Sequence, residues 1–192
     1  AYAAANILNK TLFLPAGSYL VSGITFDKSI DVIGENELTR FLANANNITI
    51  VTVTGIDKTP GKSYISTVGN FSVWANGHTS CIGVLSINGN GCNYENISID
   101  SCTQGFRAQS DQYCTYTSIR ARNCTIGIRV VDDTVGSGGG GNNNVWISPE
   151  ASVCDISYMC GRPTAPNPLH TISFIKPISL GATFSNYVCF NY

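Results

Sequence analysis

The sequence predicts an all-β parallel solenoid, one strand set per coil. Three observations predict it. First, Gly83, Gly105 and Gly127 are spaced by 22 residues, and so are Cys92 and Cys114, Cys102 and Cys124, and Ile97 and Ile119; a fixed step in this range marks stacked repeats. Second, charged residues make up only 12% of the 192 residues, while Gly, Asn, Ser, Thr, Val and Ile are plentiful. That is a strand-and-turn composition with few helix formers. Third, short segments alternate apolar and polar side chains, as half-buried strands do.

The elements follow in order. Residues 1–23 read as an opening or capping segment, with a short helix over Ala1–Asn9 and then a strand, a Pro15-Ala-Gly turn and a second strand. Coils fill 24–192. Ile24–Phe26 and Ile30–Ile33 alternate, and Ile48–Val53 is a buried strand bounded by Asn and Gly. Phe71–Val73 matches Ile97–Ile99 with four extra residues, which places an insertion at 75–80. Further corner loops are expected at 56–62, 131–144 and 161–168, because solenoids carry insertions at corners. Val145–Ile147, Ile172–Ile175 and Ile178–Phe184 resume the strand pattern, giving roughly six to eight coils in a single domain. The chain starts without Met and stops in mid-pattern, so a fragment of a longer polypeptide is expected, and no signal peptide is read.

Alternation sorts the side chains. Ile97, Ile99, Ile119 and Ala121 point in, and Ser98, Asp100, Arg120 and Arg122 point out. Phe106, Ala108, Ile128 and Val130 point in, with Arg107 and Arg129 outside, one above the other. Eight cysteines invite a disulfide framework. The repeat favours ladders of buried thiols, because equivalent cysteines in neighbouring coils have parallel side-chain vectors. Five Asn-X-Ser/Thr sequons occur, at Asn9, Asn47, Asn70, Asn96 and Asn123. They are glycan acceptors or, as their strand-end positions favour, stacked corner asparagines in turn geometry.

Net charge is −1 and no apolar run reaches the length of a membrane span, so neither nucleic acid nor membrane insertion is expected. His78 and His170 stand far apart with no zinc spacing, and the Gly-rich run at 136–141 lacks the Lys-Ser/Thr of a phosphate loop. No metal or cofactor is expected.

Leu14-Pro-Ala-Gly-Ser-Tyr-Leu-Val-Ser-Gly-Ile24, followed by Ser29–Glu35 and Thr39–Leu42, resembles the opening coils of pectate-lyase-like right-handed β-helices, especially bacteriophage tailspike and tail-fibre proteins. The chain departs from that pattern at its second turn, with Gly34-Glu-Asn36. The resemblance is specific for 12–42, and the coil pattern extends it to about 148. It implies a homotrimer among other virion tail proteins, synthesis in a host cytoplasm, location on the virion and action outside the cell. It also implies host-surface polysaccharide binding, often with cleavage by a glycosidase or lyase. It carries over no catalytic residue. The motifs of pectin hydrolysis are missing: only Val131-Asp-Asp133 and Asn76-Gly-His78 come near them. A secreted pectinase-like enzyme is therefore a remote alternative, and a non-catalytic fibre module a nearer one.

Asp111 and Asp133 lie one repeat apart, with Asp132 and Asp100 on the same coils. Stacked carboxyls at about one strand spacing fit an acid with a nucleophile or base; corner residues in Asx turns are the plainer account. Arg107, Arg129, Arg120 and Arg122 present guanidinium forks suited to an anionic sugar, or else a solvated or subunit-contact face. Trp74 is expected outside, beside Ser98 and Asp100, as a sugar platform. Trp146 is the second candidate platform, with a ring packed under a loop or between subunits as the alternative.

Overall fold

The computed structural model describes residues 11–27, 30–54, 66–131, 142–161, 170–181 and 185–189. Among these there is no helix, and every pairing between strands is parallel. The strands run coil by coil. The first coil holds β1 (Leu12–Leu14), β2 (Gly17–Val21) and β3 (Ile24–Phe26), and the second β4 (Val32–Gly34), β5 (Thr39–Ala43) and β6 (Thr49–Thr54). Three two-strand coils follow: β7 (Thr67–Trp74) and β8 (Ile82–Ile87), β9 (Asn93–Asp100) and β10 (Gln104–Gln109), β11 (Thr115–Arg122) and β12 (Ile126–Val131). The last two coils are β13 (Asn142–Ile147), β14 (Glu150–Ser152) and β15 (Ile156–Cys160), then β16 (His170–Ile175), β17 (Ile178–Leu180) and β18 (Ser185–Cys189). They form two stacked sheets. The first takes the leading strands of every coil, and the second is seven-stranded, in the order β3-β6-β8-β10-β12-β15-β18. The expected parallel solenoid is therefore what the chain forms.

The expected offsets hold. Phe71 pairs with Ile97 and Ile97 with Ile119, while Phe106 pairs with Ile128 and Arg107 with Arg129. Ile97, Ile99, Ile119, Ala121, Phe106, Ala108, Ile128 and Val130 are all buried. The glycine step has a steric cause. A Cβ on Gly105 would sit 2.4 Å from the Gly127 carbonyl oxygen and 2.8 Å from Ala121 Cβ, so only a bare backbone lets the second sheet close onto the first.

Left-handed residues stack coil over coil, both within the long strands of the first sheet and between strands. One column runs Asn70, Asn96, Ser118, Ser148 and Lys176, with φ between 49° and 58°. Asn96 Nδ2 donates to Asn70 Oδ1 at 3.0 Å, the start of an amide ladder. Asn47 and Asn123 occupy left-handed positions between strands (φ 56° and 53°), so all four described sequon asparagines are left-handed, two at corners and two, Asn70 and Asn96, at bends within strands.

Six cysteines, at 81, 92, 102, 114, 124 and 154, each directly follow a left-handed residue: Ser80, Gly91, Ser101, Tyr113, Asn123 and Val153. Five of them donate Sγ–H to the carbonyl two residues back, at 3.2 to 3.5 Å for Cys81, Cys102, Cys114, Cys124 and Cys154. All six are buried, and they and Cys160 are free thiols. The thiol fills the corner and adds a second, weak donor to a carbonyl that already accepts a backbone N–H from a neighbouring coil.

Inside, one row of the first sheet becomes aromatic: Val68, Tyr94, Tyr116, Trp146 and Phe174 lie in register. The Tyr116 and Trp146 rings stack at 3.9 Å between centroids and Tyr94 stacks on Tyr116 at 5.0 Å, while Phe106 meets all three edge-on. Such pairs add about 0.5–1.5 kcal/mol each beyond burial. The expected helix over 1–9 and the loop at 56–62 lie outside the described residues, as do most of the 131–144 and 161–168 loops.

Candidate functional site

The outer face of the first sheet gathers the polar and aromatic side chains that the interior rejects. Beyond the left-handed residues Asn70, Asn96 and Ser118 its long strands alternate, and parallel register stacks the outward residues into rows along the solenoid axis. One row runs Leu20, Leu42, Trp74, Asp100, Arg122 and Ser152. The neighbouring row runs Ser18, Arg40, Ser72, Ser98, Arg120 and Glu150. Trp74 is 45% exposed, with Leu42 on one lateral side and Asp100 on the other. It is an aromatic plane flanked by an apolar surface and by a hydrogen-bonding carboxylate.

Charges on this face are partly tied down. Arg120 extends along the axis, past Ser98 and Ser72, to form an ion pair with Glu37 of the β4–β5 turn. Ser72 Oγ fixes the same turn by donating to the Glu37 carbonyl at 2.8 Å. Asp100 Oδ1 accepts from Ser101 Oγ at 2.5 Å and Asn123 Nδ2 at 3.1 Å. The expected stacking of Asp100 beside Arg122 holds in register, but those neighbours hold the carboxylate rather than the guanidinium. Arg40 and Arg122 are exposed.

The second sheet carries Arg107 and Arg129 outward and in register, as expected, and Arg129 Nη1 donates to Gln104 Oε1 at 3.3 Å. They stand on a different sheet from Trp74, Asp100, Arg120 and Arg122. The structure therefore does not bring all the expected arginines onto one sheet face.

Two expectations are corrected. Trp146 is fully buried: it pairs with Tyr116, an inward residue, and the offset there is 30 residues, so the insertion before β13 hides its place in the inward row. It packs in the aromatic core and presents no outer platform. Asp111 is also inside, 1% exposed. Its Oδ1 accepts the Gly89 N–H and its Oδ2 the Tyr116 hydroxyl, both at 2.6 Å. Close by, Ser86 Oγ bonds Tyr94 Oη at 2.5 Å, and Asn144 Nδ2 donates to the Asp111 carbonyl at 2.7 Å. Burial pushes the Asp111 carboxyl up to about 6, against the pull of those hydrogen bonds. This carboxyl braces the core and does not join an outward acid–base row. Asp132 and Asp133 lie outside the described residues. Among the described residues, no cluster of His, Cys, Asp and Glu could hold a metal ion.

Sequence reasoning passed over Glu37, Arg40 and Glu150. The signal for Arg40 was present, since Thr39–Ala43 alternates and continues the rows of Phe71–Trp74. Glu37 sits in a turn, where alternation says nothing.

The fold and this face define a parallel β-solenoid with a mixed aromatic and charged outer sheet. No protein-family model and no curated protein matches the chain. Solved structures are similar in fold. One is ORF18 of Geobacillus virus E2, with a TM-score of 0.72 and 14% identity over 88% of this chain and 34% of that one. Another is a catalytic domain of a GH87 alpha-1,3-glucanase variant in complex with tetrasaccharides, with a TM-score of 0.72 and 14% identity over 94% of this chain and 33% of that one. The chain thus spans about a third of the length of either.

Proposed function

We propose that the outer face of the first sheet binds a host-surface polysaccharide, in a protein of the bacteriophage tailspike or tail-fibre type. The observation that carries this reading is Trp74: a half-exposed indole between Leu42 and Asp100, diagonal to Arg40 and Ser98. A sugar ring stacks its C–H face on an indole and turns its hydroxyls to flanking carboxylate, serine and guanidinium groups. The tailspike-like pattern of 12–42 and the fold similarity to a virus protein support the assignment to a virion. Homotrimeric assembly with other tail proteins is part of the same proposal.

Cleavage of the bound polysaccharide is a finer step of this reading. Asp100 is the outward carboxylate from the expected set, and Asp132 and Asp133 complete the candidates. The similarity to a glucanase domain supports it at the level of fold. A non-catalytic binding or structural module is the second reading, favoured by the Arg120–Glu37 ion pair and by the core role of Asp111. A secreted glycosylated enzyme is disfavoured, because the four described sequon asparagines have a structural role as left-handed residues.

Incubation with capsular polysaccharide or lipopolysaccharide, scored for new reducing ends and unsaturated-uronate absorbance, separates cleavage from binding. Cleavage that disappears in Asp100→Asn or Asp133→Asn supports the enzyme. Binding without product, reduced in Trp74→Ala, supports the module. Neither binding nor product with any host polysaccharide removes the proposal.

A further inference from the structure

Asparagine followed by glycine is the chemically labile pair of a polypeptide, and the sequence holds three: Asn76-Gly77, Asn88-Gly89 and Asn90-Gly91. The reaction needs the glycine backbone nitrogen as nucleophile, so a hydrogen bond from that N–H opposes it. Gly89 N–H is committed to Asp111 Oδ1 at 2.6 Å, inside the solenoid. Gly91 N–H is committed to the Gln112 carbonyl of the next coil at 2.9 Å. Gly77 N–H makes no hydrogen bond among the described residues. Asn76 and Gly77 are both exposed, and a Cβ placed on Gly77 meets nothing within 4 Å. The pair forms the tip of the turn closed by His78 N–H to the Ala75 carbonyl at 2.9 Å, with φ of 53° and 82°. Only one weak bond restrains the Asn76 amide, from Nδ2 to the Ala43 carbonyl at 3.3 Å.

We propose that Asn76 is a site of spontaneous deamidation on the folded protein, while Asn88 and Asn90 are protected by the coils that hold their glycines. The Gly77 nitrogen attacks Asn76 Cγ. A C–N bond forms, the Cγ–Nδ2 bond breaks, and ammonia leaves with the proton given up by the Gly77 nitrogen. Water then opens the succinimide at either carbonyl, giving aspartate or isoaspartate, with no oxidant or reductant involved. The product places a carboxylate two residues from Trp74 and ends the donation to the Ala43 carbonyl. The modification thereby ages the candidate face from its corner.

The test is peptide mapping by mass spectrometry, with isoaspartate labelling, after incubating the folded chain in mildly alkaline buffer. A urea-denatured sample, in which all three pairs react, runs alongside. The expected result is loss of the Asn76 amide in the folded sample with Asn88 and Asn90 intact, and no acquired charge variant in Asn76→Gln. Folded protein that keeps all three amides over the time in which the denatured control reacts overturns the proposal. So does folded protein in which Asn88 or Asn90 reacts as fast as Asn76.

Discussion

At the scale of single residues, the same residue type does opposite work according to the sheet face it occupies. Asp111 faces in. Its carboxyl is raised by burial to about 6 from an unfolded value of 3.8, so the folded state binds that proton more tightly than the unfolded one. Its contribution to stability is therefore fully present below the unfolded value and is lost as pH rises through about 6. The shift corresponds to about 3 kcal/mol between those limits. Urea unfolding midpoints across this range are expected to fall toward neutral pH. Asp111→Asn, which keeps an acceptor for Gly89 N–H, flattens this part of the profile. The two tryptophans divide in the same way. Trp146→Ala is expected to cost about 3–5 kcal/mol, from the loss of a stacked core ring. Trp74→Ala is expected to change stability by less than about 1 kcal/mol. Thermal denaturation of the two variants checks the contrast.

At the scale of elements, the corner is the unit that the repeat encodes. A left-handed residue followed by cysteine places a thiol against the carbonyl two back, and the next coil repeats it. The thiols touch in pairs. The proximity of Cys124 and Cys154 raises the first and lowers the second, while burial and the neighbouring Cys81 push Cys102 up to about 12. Burial decides their reactivity, since a reagent must reach them first. Titration with a thiol reagent is expected to find the six buried corner cysteines inert in the folded protein and all eight cysteines reactive after unfolding. The glycines that follow three of these corners, Gly83, Gly105 and Gly127, are equally constrained. Gly105→Ala forces a Cβ onto the Gly127 carbonyl and is expected to lose at least about 1–3 kcal/mol. These elements were largely legible in the sequence, because the step from Gly83 to Gly127 and the alternation of Ile97 and Ile99 follow from backbone period alone. Trp146 was not, because the insertion before it breaks the count. Nor was the inward turn of Asp111, which depends on a Gly89 N–H and a Tyr116 hydroxyl contributed by other segments. Glu37 was invisible for a related reason: its partner Arg120 is 83 residues away.

At the scale of the whole molecule, register turns a short repeat into long surface rows. Leu20, Leu42, Trp74, Asp100 and Arg122 form a continuous line only because five coils keep the same register. A binding face on a solenoid is then an extended strip, suited to a polymer rather than to a small enclosed ligand. The proposed trimer is tested at this scale by sedimentation equilibrium, which is expected to return three times the chain mass. The central claim, that this strip is the polysaccharide face, rests on Trp74. With Trp146 buried, collisional quenching of tryptophan fluorescence by acrylamide reports mainly on the exposed indole. Quenching measured with and without saturating host capsular polysaccharide or lipopolysaccharide, in the wild type and in Trp74→Phe, tests it most directly. Polysaccharide is expected to shield the wild-type emission and to leave that of Trp74→Phe unchanged. Bound polysaccharide that leaves wild-type quenching unaltered would contradict it.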